Sequence, residues 1–208
     1  MKRVISILCI FMLSLTCIFA QENQNPEDPS VTEPNTIEFK YVPYQSGDQY
    51  LRISVAVSFP LGFGDLFSGN QKMNIGGAGT LGYHYFVLDY LALGAEVSFG
   101  FNTTIGSHTY NYVPILFTVT TVPTVNKFEF PITLGIGFAT ENYNNYKYFP
   151  GLALKAEGGI YYRFSSSWSA GFEATYRFLP QFAGLYSSSA HNIMGNFLNL
   201  TLGAKYHF

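Results

Sequence analysis

From Tyr50 to the carboxy terminus, large apolar residues alternate with small or polar ones, and one face of each alternating segment carries no charge. The last segment is representative. Leu198, Leu200, Leu202, Ala204, Tyr206 and Phe208 fall on one face, with Asn199, Thr201, Gly203, Lys205 and His207 on the other. A period of two is that of a β-strand, whose successive side chains point to opposite faces. The pattern predicts eight strands, over about residues 50–59, 73–86, 90–102, 112–122, 127–139, 150–163, 168–179 and 196–208. No helical period interrupts them.

The predicted connections alternate in kind. Val87–Asp89, Pro123–Asn126 and Phe164–Ser167 are tight, whereas Pro60–Lys72, Thr103–Asn111, Thr140–Phe149 and Pro180–Gly195 are longer and rich in Gly, Asn, Ser and Tyr. Short turns at one rim and long loops at the other are expected of an antiparallel up-and-down transmembrane β-barrel, with the short turns facing the periplasm. Two prolines, Pro114 and Pro131, fall in the fourth and fifth strands. A closed barrel has no free edge to spare a donor, so a bulge or a late strand start near the predicted ends must absorb them.

Charge decides which face is outside. A soluble, lipocalin-like barrel has the same alternation with the faces reversed. When faces are assigned by apolar residues alone, every strand charge lands opposite them: Arg52, Glu96, Glu129, Lys155, Glu157, Arg163, Glu173, Arg177 and Lys205. They share that face with glycine and other small residues, which makes a poor water-exposed surface but suits a crowded lumen, since eight strands leave just enough interior for side chains to fill. The apolar face is aromatic at its ends. Tyr83, Tyr85, Tyr162, Trp168, Tyr206 and Phe208 lie near the short-turn rim, and Phe59, Phe99, Phe101, Phe138 and Phe178 near the long-loop rim. Aromatic girdles around an aliphatic band mark the two membrane interfaces.

The chain closes on Thr201-x-Gly203-x-x-Tyr206-x-Phe208. This resembles the carboxy-terminal signal by which bacterial outer-membrane barrels are recognised for assembly. Together with the strand pattern, it makes the chain similar to the small eight-stranded outer-membrane barrels, the OmpA/OmpX/OmpW-like group. The resemblance implies residence in the bacterial outer membrane, contact with its lipid, and an encounter with the barrel-assembly machinery during biogenesis. It fixes no function.

The first residues fit that location. Lys2 and Arg3 precede an apolar run from Val4 to Phe19, followed by Ala20 and Gln21. This is the layout of a secretory signal peptide over residues 1–20. Ile18 at the third position before the cut is unfavourable and allows cleavage a residue or two away. Both cysteines, Cys9 and Cys17, lie in this leader, so the mature chain is expected to lack disulfide and thiol chemistry. A minor alternative keeps Cys17, because Leu13-Ser14-Leu15-Thr16-Cys17 loosely resembles a lipoprotein signal. Residues 21–49, with Pro26, Glu27, Asp28, Pro29, Glu33 and Pro34, read as a largely disordered periplasmic tail ahead of a barrel over 50–208. Ile37–Tyr44 alternates weakly and is placed against the barrel entrance.

Motifs of site chemistry are few. Gly77-Ala78-Gly79-Thr80-Leu81-Gly82 matches a dinucleotide-binding pattern, but no helix follows to meet a pyrophosphate. His84 and His207 face inward and His108 and His191 lie in loops, without metal-ligand spacing. No metal or cofactor is expected, and a net charge of −2 without a basic patch argues against nucleic acid. Ser187, Ser188, Ser189 and His191 with Glu173 are the remote basis of a lipid-modifying enzyme; nothing orders them, and the chain is read as non-enzymatic. Two readings remain. In the favoured one the lumen charges pair and plug the barrel, which anchors surface loops carrying Tyr110, Asn111, Tyr112, the stretch Asn142–Tyr148 and Tyr186, for envelope integrity or contact with a surface ligand. In the other, inward Leu116, Leu179 and Phe197 line an apolar path for a small solute. Either way, the unheated chain is expected to run faster on a denaturing gel than the boiled chain, and equal mobility would count against a folded membrane barrel.

Overall fold

The computed structural model describes residues 41–62, 73–104, 108–143, 146–182 and 192–208. Residues 1–40, with Cys9, Cys17 and the predicted leader and tail, and Tyr186, Ser187, Ser188, Ser189 and His191 lie outside the described residues. The strands are β1 (Gln49–Gly62), β2 (Gly76–Leu88), β3 (Leu91–Thr103), β4 (Thr109–Thr121), β5 (Thr124–Val125), β6 (Phe128–Glu129), β7 (Ile132–Tyr143), β8 (Tyr146–Arg163), β9 (Trp168–Gln181) and β10 (Ile193–His207).

Eight of these form a closed antiparallel barrel in the order β1, β2, β3, β4, β7, β8, β9, β10, with β10 returning to β1. The closing ladder runs from Tyr50 opposite His207 to Pro60 opposite Phe197, with an irregularity before Gly62 opposite Asn196. Closure satisfies the backbone: an open edge would leave N–H and C=O groups with no partner in the sheet, and only a ring removes both edges. Side chains alternate as the pattern requires. On β1, Leu51, Ile53, Val55 and Val57 are exposed, while Tyr50, Arg52, Ser54 and Ser58 are buried.

The two prolines are absorbed differently. Pro131 lies just before β7, so the predicted strand over 127–139 splits into β6 and β7. There, Pro131 supplies only its carbonyl, which accepts from the Gly159 N–H at 3.0 Å. Pro114 sits in the middle of β4 rather than near an end. The β3–β4 ladder runs from Leu91 opposite Thr121 to Val97 opposite Ile115 and resumes at Gly100 opposite Tyr112, so pairing lapses beside Val113 and Pro114. On its other side Pro114 keeps its place opposite Ala139. The missing donor therefore costs two rungs of one ladder and leaves the wall closed.

Strands reach further into the long loops than the alternation alone indicated. β4 begins at Thr109 and β8 at Tyr146, which corrects the assignment of Tyr110, Tyr112 and Tyr148 to exposed loops: all three are buried in the lumen. β5 and β6 form a small ladder around Asn126, whose φ of 55° is tolerated by Asn at a hairpin tip. Ahead of β1, residues 45–48 make a turn in which Gly47 takes a φ of 101°, a backbone setting that favours glycine.

Two glycines of adjacent strands test the two faces. A Cβ on inward Gly171 would lie 2.1 Å from the Ile160 carbonyl oxygen, whereas one on outward Gly158 would meet nothing within 4 Å. Gly171→Ala is expected to lower stability by about 1–3 kcal/mol or to prevent folding. Gly158→Ala should stay within about 0.5 kcal/mol of the parent. The urea midpoint for loss of the fast-migrating gel band reads both.

Candidate functional site: a layered charge network in the lumen

The middle of the barrel is organised by Arg52. From β1 its Nη1 donates to Glu157 Oε1 at 2.5 Å on β8 and to Glu173 Oε1 at 2.7 Å on β9, and its Nη2 donates to Glu96 Oε1 at 2.9 Å on β3. Lys155 of β8 donates to Glu96 Oε2 at 2.5 Å and to Glu157 Oε2 at 3.3 Å. Hydroxyls fill further acceptor sites, from Thr175 to Glu157 at 2.8 Å and from Tyr161 to Glu173 at 2.7 Å. This layer holds two cations against three carboxylates. The Tyr161 hydroxyl donates to the third carboxylate, Glu173, and Lys205 Nζ lies 3.9 Å from the Tyr161 ring centre. Gly82 and Gly203 leave the space: a Cβ at the first would strike Glu96, and at the second the Tyr161 hydroxyl. His84 stacks on Tyr50 at 4.5 Å and has Nε2 3.3 Å from Glu96.

Toward the short turns, Glu129 of β6 forms a second layer. Lys205 donates to it at 3.3 Å, Arg163 lies 3.8 Å away, and the Tyr44 hydroxyl donates to it at 2.8 Å. His207 shares Ser169 at 2.9 Å and stands 3.4 Å from the Tyr44 hydroxyl. Burial, with the neighbouring Glu129 charge, holds the Tyr44 hydroxyl well above the ordinary phenol range, so it remains a donor.

Toward the long loops the lining turns aromatic and apolar. Tyr110, Tyr112, Leu116, Tyr148, Leu179 and Phe197 cluster with Ala139 and Ala153. Phe197 stacks on Tyr110 at 5.6 Å and on Tyr112 at 5.2 Å. Beneath them Arg177 reaches across to Ser98 Oγ at 3.2 Å, its guanidinium 5.6 Å from the Tyr112 ring centre. Glu141 takes the Tyr110 hydroxyl at 2.5 Å and the Gln181 amide.

Every charge assigned inward from the sequence lies in these layers, with Arg163 at their short-turn edge. The sequence reading missed Glu141 and placed Tyr148 in a loop. Glu141 continues the inward phase of Thr133, Gly135, Gly137 and Ala139, so extending the alternation by one step would have found it. Tyr148 gives no such signal, because a bulge opposite Ala139–Glu141 shifts its phase from that of Gly151 and Ala153. Tyr44 belongs to no strand; the weak alternation of Ile37–Tyr44 puts that stretch against the barrel entrance, and Tyr44 is buried there beside Phe86.

The remaining candidates also have definite places. Tyr83, Tyr85, Phe99, Phe101, Phe138, Tyr162, Trp168, Tyr206 and Phe208 are exposed on the outer face, with Phe59 and Phe178 half-buried. Thr201 and Gly203 point inward, and Tyr206 stacks on Phe208 at 6.0 Å. The glycine-rich stretch 77–82 lies inside β2, where the Phe101 ring covers Gly77. Glu173 is committed to Arg52 and Tyr161. No group of three or more metal-ligating side chains occurs among the described residues.

A protein-family model matches residues 26–206 of this chain. An uncharacterized protein of Treponema pallidum (strain Nichols) is 31% identical over 194 residues, spanning 88% of this chain and 86% of the relative. The chain belongs to that family. Among solved structures, Neisserial surface protein A matches with a TM-score of 0.58 at 12% identity, over 78% of this chain and 99% of its own. The outer membrane protein OprG from Pseudomonas aeruginosa matches with a TM-score of 0.54 at 13% identity, over 79% and 97%. At such identities the likeness is one of fold: this family member is a small eight-stranded barrel of the outer-membrane type.

Arg52 is the group whose loss should be felt most. Arg52→Met leaves Glu173 without its cation and Glu157 with Lys155 alone, and is expected to cost about 3–5 kcal/mol. Arg52→Lys should recover part of this, since a lysine reaches fewer carboxylates at once. Urea-induced loss of the folded gel band measures both.

Proposed function

We propose that this protein is a membrane-embedded scaffold of the outer membrane whose lumen is shut, and which acts through the long loops it presents outside, in envelope integrity or surface contact. The supporting observation is the Arg52 cluster: one guanidinium joins carboxylates from β3, β8 and β9 across the bore. An eight-stranded barrel has little open cross-section, and here that section is filled by groups whose removal would strand buried charge. In this reading the short turns face the periplasm, the outer aromatics sit at the membrane interfaces, and lipid covers the wall between them. Thr201, Gly203, Tyr206 and Phe208 serve as the recognition signal for the assembly machinery.

A second reading draws on the apolar lining toward the long loops. Leu116, Leu179 and Phe197 with Tyr110 and Tyr112 would accept a small apolar solute entering from outside. Conductance separates the two. In a planar bilayer the refolded protein should give no stable channels, and Glu173→Gln should leave it silent. Steady channels in the parent that widen in the variant would overturn the scaffold reading.

A further inference from the structure

The short-turn mouth of the barrel is filled by a segment that belongs to none of its strands. Residues 41–48 turn back over the rim and seat Tyr44 inside it, with a relative exposure of 4%. Its ring stacks on Phe86 at 4.2 Å with an interplanar angle of 19° and lies 6.3 Å from Tyr50. The Arg163 guanidinium stands 5.2 Å from the Tyr44 ring centre and 5.7 Å from that of Tyr41, held in place by donation to the Ser166 carbonyl at 2.9 Å. Tyr50, Phe86, Ala92 and Val122 close an apolar cluster around Tyr44. Its hydroxyl reaches the charged layer behind, at Glu129 and His207.

The backbone fixes the same segment. The Gly47 N–H donates to the Phe86 carbonyl at 2.8 Å and the Phe86 N–H to the Asp48 carbonyl at 2.9 Å. The Ser46 N–H donates to Asp89 Oδ1 at 2.9 Å and its hydroxyl to the Val87 carbonyl at 3.1 Å. Gln45 and Asp48 close the turn, with the Gln45 N–H donating to Asp48 Oδ2 at 2.9 Å. These partners lie at the end of β2, on the β2–β3 turn or within the segment. The bonds fall just beyond the last β1–β2 rung, Gln49 opposite Tyr85, so the contacts can be given up while the barrel stays whole.

We infer that residues 41–48 form a separable latch, with Tyr44 as its bolt, that seals the short-turn mouth independently of the Arg52 cluster. The mouth is thus a receptor site for a phenol, occupied in cis: an aromatic floor for the ring, a cation over its face, and a carboxylate for its hydroxyl. With the bolt withdrawn, water reaches Val122 and the Glu129 layer while the middle layer holds.

Thiol protection tests this. In a full chain with Cys9 and Cys17 replaced by Ser, Val122→Cys places one thiol behind Tyr44. A charged thiosulfonate reagent should modify it slowly in the folded protein and about tenfold faster or more after Tyr44→Ala. Added 4-methylphenol should slow the reaction again, and Tyr44→Phe, which keeps the stack, should stay protected. Equal rates with and without Tyr44, in chains that keep the fast-migrating gel band, would overturn the latch. Should Tyr44→Ala fail to fold, hydrogen exchange in the unaltered chain decides. The Gly47 and Phe86 amides should share one protection factor, about tenfold or more below that of Val57 inside β1. Exchange of all three at one rate would mean that the segment never opens by itself, and the inference would fall.

Discussion

Arg52 can contact three carboxylates only because β3, β8 and β9 pass within one side chain's reach of β1, and they do so only because the sheet closes at eight strands. The dependence also runs the other way. Glu96, Glu157 and Glu173 crowd one cross-section, and without a shared cation their desolvation and mutual repulsion would oppose the closure that brings them together. A guanidinium suits this position better than an ammonium, since its planar donors point to several partners at once. Lys155 sits at the side of the cluster, where two carboxylates are enough for it. Glycines at 82 and 203 are the steric counterpart of this arrangement, because the network needs room where a Cβ would stand.

Lipid outside and charge inside are two results of one alternation. Without water in the hydrocarbon region, backbone groups must pair within the ring, and the only chemistry left to vary is that of the side chains on each face. The outer face varies in size and aromaticity. The inner face must neutralise itself, and it does so by layers: Glu129 with Lys205 and Tyr44 near the short turns, the Arg52 cluster in the middle, and an aromatic layer with Arg177 and Glu141 toward the long loops. The layers communicate through shared groups. Lys205 donates to Glu129 below while lying against Tyr161, which donates to Glu173 above.

Much of this was legible in the chain because a period of two assigns each residue a face without knowledge of its neighbours. Arg52 and Glu173 could be placed inward, and Tyr83 and Trp168 outward, from phase alone. Which charges meet was not legible. That depends on the stagger of the ring, which sets Lys155 opposite Arg177 on β9 yet sends its amine to Glu96 on β3. Phase also fails where the strand is irregular. Pro114 looked harmless only if it stood near an end, and it proved tolerable in mid-strand because the ladder lapses on one side. Tyr110 and Tyr112 looked like loop residues because tyrosine and asparagine are common in loops, although their phase with Leu116 already pointed inward.

The two mouths differ in how they are closed, and this bears on where the molecule can act. At the short-turn end a charged layer is capped by Tyr44, whose ring and hydroxyl are both satisfied. At the other end Glu141 is held by neutral groups, and Arg177 has no carboxylate within 4.0 Å among the described residues, facing Ser98 and the Tyr112 ring instead. Two of its nitrogens, Nε and Nη1, have no hydrogen-bond partner, as does Oδ1 of nearby Asn199. Unsatisfied groups are costly where water is scarce, and chemistry that answers to the outside concentrates where they remain. The middle layer also keeps unpartnered atoms, Arg52 Nε and Glu173 Oε2 among them, but there both cations, Arg52 and Lys155, face carboxylates. Arg177 is thus the cation of these layers that faces no carboxylate, and it lies with the aromatic layer toward the long loops.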